Sequence, residues 1–304
     1  MPPIEALRIA VVGAGKIGST FAFQLARAGH AVTVVARPAS HRLAQLQAQQ
    51  AIVKTNGERA AVAVCSALDE SLAYDLVLVT VLAHQVDLLI PSLQRSAARR
   101  LLFAFNNFTP QVLRDALGPL RCDFGMPFVQ ATLDAAGRLQ AQIGAGGQKT
   151  RLGAQCWVDL FNDAGLPAVL ESDMLRWLRC HVPLCVAFES VSVAAVRRGG
   201  GVSWAEAQLV ARGMHEAFAL VVSLGAPLYP AGKARLAGAP VWVAGAMLWS
   251  VARIKPFREL LAGGVDECRA LVDTMTAAAE LTNPAMAWAN IAAMRPPFNP
   301  PRNA

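Results

Sequence analysis

The chain has 304 residues, of which 54% are hydrophobic and only 16% are charged, a balance that excludes disordered, collagen-like and coiled-coil proteins. This length is enough for two domains with buried cores. The 28 Lys and Arg residues exceed the 21 Asp and Glu residues and leave a net charge of +7, which suits a phosphorylated small ligand. The arginines are scattered and form no basic stripe, so we expect no nucleic-acid partner.

Cysteine spacing and the length of apolar runs bear on metal binding and on cellular location. The six cysteines form no CxxC pair, so we expect neither a metal site nor a disulfide framework. The first residues include Glu5 and no positively charged leader, which argues against a signal peptide. The charge-free stretch 239–252 is shorter than the about 20 residues that a membrane span needs. We therefore expect a cytoplasmic protein without a membrane partner.

The first half of the chain alternates short apolar runs, rich in β-branched residues, with alanine-rich helical stretches. Strands are predicted at 9–12, 32–36, 62–65, 75–81 and 101–105, and helices at 19–28, 42–49 and 85–94. Near-continuous apolar strands joined by helices indicate a parallel sheet that is covered on both faces. Segments near 125–129 and 139–143 are candidates for further strands, including an antiparallel edge.

After Pro167 the strand signals nearly vanish. Helical periodicity runs through 172–197, 203–224, 233–252 and 265–281, with glycine and proline breaks at 199–201, 227–230 and 263–264. The sequence thus predicts an α/β fold in two domains. Residues 1–167 form a Rossmann-type, doubly wound parallel sheet, residues 168–304 form an all-α domain, and the substrate is expected in the cleft between them.

The strongest motif is the GxGxxG at 13–18, which directly follows the first predicted strand and opens a helix. Gly13 permits a tight turn, Gly15 lets a pyrophosphate approach the backbone, and Gly18 lets the helix lie close to the strand. The helix N-terminus then offers N–H groups and a partial positive charge to the phosphates. This βαβ context, spanning residues 8–36, predicts a dinucleotide-binding site.

The end of the second predicted strand decides which dinucleotide is preferred. NAD-binding proteins usually place an acid there to accept a hydrogen bond from the ribose 2′-OH. Here the strand ends in Val35-Ala36-Arg37 with no acid. Arg37 is a permanently charged fork suited to a 2′-phosphate, so we predict NADP(H).

These features resemble the ketopantoate reductase family, the 2-dehydropantoate 2-reductases. The resemblance is carried by VVGAGKIGS at 11–19, VAR at 35–37, DLVLVT at 75–80 leading into AHQV at 83–86, and FNN at 105–107. It extends to 123–144, where that family has a strand–turn–strand, and to the helical second half. It implies a cytoplasmic oxidoreductase of pantothenate biosynthesis that reduces a 2-oxo acid with NADPH.

The resemblance also implies roles for individual residues. The cofactor-binding residues would be Gly13, Ala14, Gly15, Lys16, Ile17, Gly18, Arg37, Leu82, Gln85, Asn106 and Ala131. The catalytic residues would be Arg179, Glu267 and Asn106.

Three residues depart from the family pattern. Leu82 and Arg179 stand where the family has lysines, and Pro183 stands where it has an asparagine that helps to hold substrate. Arginine can polarise a carbonyl or bind a carboxylate, but it stays protonated and is a poor proton donor. The proton for the product alcohol could instead come from His181, His84 or a water molecule.

Several interpretations therefore stay open. The substrate is 2-dehydropantoate or a related ketone; an opine-type or β-hydroxyacid dehydrogenase is one alternative, and a catalytically silent NADPH sensor is another. Glu189 and Glu216 lie within apolar helices and are either functional or simply paired. Trp242 and Trp249 form a core or subunit-interface stripe, and a homodimer is expected.

Overall fold

The computed structural model describes residues 6–282 and 288–296, which form twelve strands and twelve α-helices. The strands are β1 (Arg8–Val12), β2 (Ala31–Val35), β3 (Ala51–Val53), β4 (Arg59–Ala61), β5 (Ala63–Cys65), β6 (Leu76–Val79), β7 (Leu101–Ala104), β8 (Cys122–Met126), β9 (Val129–Leu133), β10 (Leu139–Ile143), β11 (Thr150–Leu152) and β12 (Ala168–Leu170). The helices are α1 (Lys16–Arg27), α2 (His41–Gln49), α3 (Ile90–Arg95), α4 (Pro110–Leu117), α5 (Gln155–Asp163), α6 (Met174–Arg197), α7 (Trp204–Ser223), α8 (Ala231–Gly238), α9 (Val241–Val251), α10 (Lys255–Leu261), α11 (Val265–Thr282) and α12 (Ala289–Ala293).

The chain divides into two compact units. The sheet unit comprises Met1–Phe105 and Pro110–Leu175, and the helical unit comprises Asn106–Thr109 and Arg176–Ala304. The short segment Asn106–Thr109 therefore belongs to the helical unit although it follows β7 in the chain.

The sheet unit is built on an eight-stranded sheet of order β12-β11-β8-β7-β6-β1-β2-β5. Strands from β5 to β8 in this order pair in parallel, and β11 pairs antiparallel to β8. The central strands β6 and β7 are buried at every position, which explains their continuous apolar sequence. Two small antiparallel hairpins, β3–β4 and β9–β10, complete the unit. The predicted α/β fold class, with a sheet-forming N-terminal half and a helical C-terminal half, is confirmed.

The helical unit is held together by apolar packing among long helices. Helix α7 begins with a capping box, in which Ser203 accepts from the Glu206 backbone and Glu206 accepts in return from the Ser203 backbone. Its buried face carries Met214, Phe218 and Val221. Helix α6 is continuous through Pro183.

Two predicted helices were wrong in part, and proline explains both errors. The helix expected at 85–94 is two short 3-10 turns at 83–85 and 87–89 followed by α3, which has Pro91 in its first turn. The helix expected at 233–252 is two helices, because Pro240 precedes α9 and the residue before a proline avoids helical geometry.

The sequence patterns also left parts of the fold unassigned. The short helices α4, α5, α10 and α12 and the strands β11 and β12 were not predicted. The hairpin β3–β4 precedes a shorter β5 than expected at 62–65. Strands β11 and β12 pair in parallel with each other and run antiparallel to the other strands of the main sheet, so β12 forms an antiparallel edge.

Helix α6 is long and apolar enough to cross a membrane by composition alone. However, 61% of its most apolar window is buried inside the protein, as in the core helix of a soluble domain. Helices α8 and α9 pass the same test only as a pair, and they are bent by 113° at the break between them. These segments therefore give only weak evidence for a membrane span.

Candidate functional site

The glycine-rich loop joins β1 to α1 and is packed around Thr80. Gly13 has a φ of +110°, and a Cβ placed on it would lie 2.9 Å from the Thr80 hydroxyl oxygen. A Cβ on Gly18 would lie 1.8 Å from the carbonyl oxygen of Gly13. Both positions therefore require glycine for the turn and for the close approach of α1 to the loop, as the motif predicts.

Gly15 has a different environment. A Cβ placed on it would meet no atom within 4 Å, and no side chain of the described residues caps the N-terminus of α1. Ala14 is buried and Ile17 is partly buried, whereas Lys16 is exposed beside this opening. The loop thus leaves an open cradle over a helix N-terminus, and these residues fit the pyrophosphate of a dinucleotide.

Two side chains that the sequence did not single out hold this loop. The Thr80 hydroxyl lies 3.0 Å from the Gly13 carbonyl oxygen and can donate to it. The Arg42 guanidinium donates from Nε to the Ala14 carbonyl at 3.2 Å and from one terminal nitrogen to the Gly137 carbonyl at 2.7 Å. Its other terminal nitrogen donates to the Ser19 hydroxyl at 3.0 Å. Arg42 therefore ties the glycine-rich loop to the turn of the β9–β10 hairpin.

Burial lowers the pKa of Arg42, but its guanidinium stays charged at neutral pH. The sequence places Arg37 directly after the second predicted strand but gives no sign that Arg42, five residues later, contacts the glycine-rich loop. In the structure they differ clearly. Arg37 is exposed, and in the described residues its guanidinium forms no hydrogen bond or ion pair. Arg37 is therefore the arginine that is available to a phosphate.

The remaining cofactor residues implied by the resemblance lie at separate places in the sheet unit. Leu82 is 36% exposed, and its backbone N–H donates to the Gln85 side-chain oxygen at 3.4 Å. Ala131 lies on β9 and belongs to the buried core of the unit. His84 is exposed in the 3-10 turn at 83–85.

The helical unit brings Asn106 and Glu267 together, although they are far apart in the sequence. Asn106 is only 6% exposed, and its side-chain amide hydrogen-bonds to the Glu267 carboxyl. The Asn106 Oδ1 atom is buried, and no atom of the described residues pairs with it. In a binding site, such an oxygen is expected to be paired by a ligand.

Arg179 contacts the same short segment. Its Nε donates to the carbonyl oxygen of Phe108 at 3.5 Å, two residues after Asn106. Burial lowers the pKa of Arg179, but the group remains a cation at neutral pH. The three residues predicted as catalytic are therefore joined within one unit: Arg179 and Glu267 each contact the segment Asn106–Thr109.

Glu267, in the first turn of α11, has the properties of an acid. Burial raises the pKa of its carboxyl to about 7, and the hydrogen bond from Asn106 opposes that shift. A carboxyl with this pKa is partly protonated near neutral pH and can donate a proton. The sequence identified Glu267 only through the family resemblance, because its protonation state depends on its neighbours in the fold.

The two other glutamates of interest turn out differently. Glu216 accepts hydrogen bonds from the backbone N–H groups of Asn290 at 2.9 Å and Ile291 at 3.2 Å, so it is structurally paired. Glu189 is only 6% exposed on α6, and its Oε1 accepts from the Cys185 thiol at 3.5 Å. Its Oε2 is buried and unpaired among the described residues.

His181, the first of the alternative proton donors, stacks on Trp177 with ring centroids 4.5 Å apart. The buried ammonium of Lys233 lies 4.1 Å from the centroid of the same Trp177 ring and donates to the Trp177 carbonyl at 3.3 Å. Lys233 was not singled out from the sequence, because it lies in a short, glycine-flanked segment. These contacts give His181 a packing role.

Residues 9–155 match the sequence model of the family described as ketopantoate reductase PanE/ApbA. A search of curated protein sequences finds no significant match. Solved structures are similar over nearly the whole chain at low identity, which bears on the fold alone.

Two of these structures are named for the same family. A probable 2-dehydropantoate 2-reductase of Bacillus subtilis has a TM-score of 0.68 at 19% identity, covering 95% of this chain and 98% of its own. A PanE/ApbA family ketopantoate reductase of Ralstonia eutropha JMP134 has a TM-score of 0.68 at 19% identity, covering 94% and 95%. A D-mandelate dehydrogenase in complex with NADH has a TM-score of 0.70 at 14% identity, covering 95% and 96%.

Proposed function

We propose that the chain is a divergent member of the ketopantoate reductase family and an NADPH-dependent oxidoreductase that reduces a 2-oxo acid to the 2-hydroxy acid. The observation that carries this proposal is the contact between the Asn106 side chain and the Glu267 carboxyl. The family resemblance assigned both residues to the site from positions far apart in the sequence, and they meet in the fold beside an unpaired amide oxygen.

The sheet unit supplies the cofactor residues of the proposal. The cradle at Gly15 and the N-terminus of α1 would hold the pyrophosphate, and Arg37 would bind the 2′-phosphate. When bound, a reduced nicotinamide supplies a hydride to the carbonyl carbon of the substrate.

The helical unit supplies the other two requirements of the reduction. The Arg179 cation binds the substrate carboxylate or stabilises negative charge on the carbonyl oxygen. Glu267 donates the proton that makes the alcohol, because its raised pKa leaves it partly protonated at neutral pH. Asn106 orients Glu267 and offers Oδ1 to a donor on the substrate or cofactor.

A second candidate, a D-2-hydroxyacid dehydrogenase, is favoured by the similarity to D-mandelate dehydrogenase. It uses the same chemistry in the oxidative direction and differs in the substrate side chain.

A cytoplasmic location and a homodimer also belong to the proposal. Trp242, 62% exposed on α9, offers apolar surface for such a dimer.

The proposal is tested by following nicotinamide absorbance with purified protein. NADPH is offered with 2-dehydropantoate, pyruvate and phenylglyoxylate, each with and without an amino acid. Turnover of a 2-oxo acid alone supports the proposal, and preference for phenylglyoxylate favours the second candidate. Turnover that requires an amine indicates an opine dehydrogenase. Tight NADPH binding without any turnover indicates a sensor and contradicts the proposed activity.

Arg37 is expected to determine the preference for NADPH. In Arg37→Gln, NADPH affinity should fall by about ten- to a hundredfold, because a charge-assisted hydrogen bond contributes about 1.5–3 kcal/mol. NADH affinity should change less than threefold, since NADH has no 2′-phosphate. Titration calorimetry with both nucleotides measures the difference, and the exposed Arg59 in Arg59→Gln is the matched control. Equal losses for the two nucleotides would remove Arg37 from the phosphate site.

A further inference from the structure

Glu189 is a buried carboxyl that the roles assigned so far do not use. It lies on α6, where its Oε1 accepts a hydrogen bond from the thiol of Cys185, one turn earlier on the same helix. The next residue, Ser190, has its hydroxyl 3.5 Å from the Cys268 sulfur on α11. Cys268 in turn follows Glu267 in the chain. The packing of α6 on α11 therefore places Glu189 beside the proposed acid.

The two carboxyl groups converge at Gly264, just before α11 begins. A Cβ built on Gly264 would lie 3.8 Å from Glu189 Oε1 and 4.0 Å from Glu267 Oε2. One small volume at the start of α11 is thus bordered by an oxygen of each carboxyl. A Cβ at position 264 would therefore be in van der Waals contact with both carboxyls.

The polar atoms around this volume are incompletely paired. Glu189 Oε2 and Asn106 Oδ1 are both buried and have no hydrogen-bond partner in the described part of the chain. Over residues 6–282 and 288–296, no Lys, Arg or His forms an ion pair with either carboxyl. A buried carboxylate and a partly buried one that lie close together without a cation repel each other, so at least one of them carries a proton.

The neighbouring groups favour protonation of the pair. Burial and the charge of Glu267 raise the pKa of Glu189 to about 8. Burial and the nearby Glu189 charge raise the pKa values of the Cys185 and Cys268 thiols, which therefore stay neutral. The groups that face Glu189 are thus one thiol on its own helix, and one thiol and one carboxyl on α11. Asn106, which is uncharged, contacts Glu267 from the remaining side.

We propose that Glu189 is a positioning residue that shares one proton with Glu267, and that this sharing keeps Glu267 available as the acid above neutral pH. The inference rests on the proposed reduction. As the carbonyl carbon accepts the hydride, the π electron pair of C=O moves to oxygen. That oxygen takes the proton from the Glu267 carboxyl, whose O–H bond breaks to leave a carboxylate. Solvent returns one proton to the pair after the product leaves.

Sharing has a measurable consequence for titration. Two interacting carboxyls lose their protons in two steps that belong to the pair. After the first step the remaining proton is distributed over both groups, so Glu267 keeps part of its protonated population at a pH where an isolated carboxyl would have lost it. Removing Glu189 should therefore lower the pH at which Glu267 becomes fully ionised.

The direct test is carbon-13 NMR of the protein with labelled glutamate carboxyls, titrated without substrate or cofactor. In the wild type, two carboxyl signals should titrate together over a broad range above pH 6. In Glu189→Gln, the Glu267 signal should titrate in a single step whose midpoint is lower by about half a unit to one unit. In Glu267→Gln, the Glu189 midpoint should fall likewise. An unchanged Glu267 titration in Glu189→Gln overturns the proposal.

A kinetic test separates this inference from the proposed function. The alkaline limb of kcat/KM for reduction should move to lower pH in Glu189→Gln, with turnover below pH 6 nearly unchanged. Glu189→Asp should restore part of the limb, because it keeps a carboxyl. Glu280→Gln, an exposed carboxyl on α11, should leave the limb in place. An alkaline limb that does not move in Glu189→Gln contradicts the inference. A protein that reduces no ketone contradicts the proposed function, and the NMR titration then decides whether Glu189 and Glu267 share a proton.

Discussion

Glu267→Gln is expected to lower kcat for ketone reduction about 100- to 10,000-fold, the usual contribution of a positioned general acid. The amide keeps the size of the side chain and can still contact Asn106, but it holds no transferable proton. Wild-type reduction should fall as pH rises above about 7, since burial raises the pKa of Glu267 to about 7 and the acid must be protonated. The residual activity of the variant should lack this limb. Steady-state rates between pH 5 and 9 measure both effects.

The control for this substitution is its neighbour in the chain. Asp266 is in the same helical turn, is 78% exposed and pairs with Arg269 on the surface of α11. Asp266→Asn changes the same charge at the start of the same helix and should retain wild-type kcat within about twofold, because exposed pairs contribute little. Equal losses in the two variants would show that helix stability, and not the acid, governs the rate.

Gly18→Ala and Gly15→Ala are expected to fail in different ways. At Gly18 the new methyl would lie 1.8 Å from the Gly13 carbonyl oxygen and 2.5 Å from the Thr80 hydroxyl oxygen, so backbone must move. Overpacking lowers the free energy of unfolding by about 1–3 kcal/mol. Replacing glycine by alanine in a helix raises it by at most about 1 kcal/mol, so the net effect is destabilising. Gly18→Ala should therefore lower Tm and abolish NADPH binding together.

At Gly15 the methyl would enter open space, and the backbone at φ −73° accepts alanine without strain. Gly15→Ala should keep the wild-type Tm but bind NADPH at least about tenfold more weakly, a loss of about 1.4 kcal/mol, because the methyl fills the cradle. Thermal unfolding and calorimetry separate the two outcomes. Gly232→Ala, in helix α8, where a Cβ also meets no atom within 4 Å, should leave NADPH affinity unchanged and should not lower Tm, because alanine favours a helix. Unaltered NADPH affinity in Gly15→Ala would move the pyrophosphate elsewhere.

The parts of the fold that could be predicted depend on local chemistry. The β1–α1–β2 unit follows from a glycine motif whose spacing is a steric requirement at Gly13 and Gly18. The buried strands β6 and β7 follow from continuous apolar runs, and α7 follows from the helical periodicity of 203–224. In each case the determining contacts lie within a few residues or within one repeating pattern.

The site could be predicted only in outline, because its chemistry depends on long-range contacts. The strand end identifies Arg37 locally, but nothing local shows that Arg42 supports the glycine-rich loop through contacts with Ala14 and Gly137. Glu189 and Glu216 both appear in the sequence as charges within apolar helices. Only the fold shows that backbone N–H groups satisfy Glu216, whereas Glu189 faces a thiol and a second carboxyl.

The assignment of Asn106–Thr109 to the helical unit has a consequence for recombining this protein with its relatives. The peptide chain passes from one unit to the other at residue 106, returns at 110 and passes over again at 176. A chimera joined once, after Leu175, would take Asn106 from one parent and Glu267 from the other. Hybrids that inherit residues 106–109 and the later helices from the same parent should keep the contact between Asn106 and Glu267. Hybrids with a single crossover should lose it whenever the parents differ at these positions.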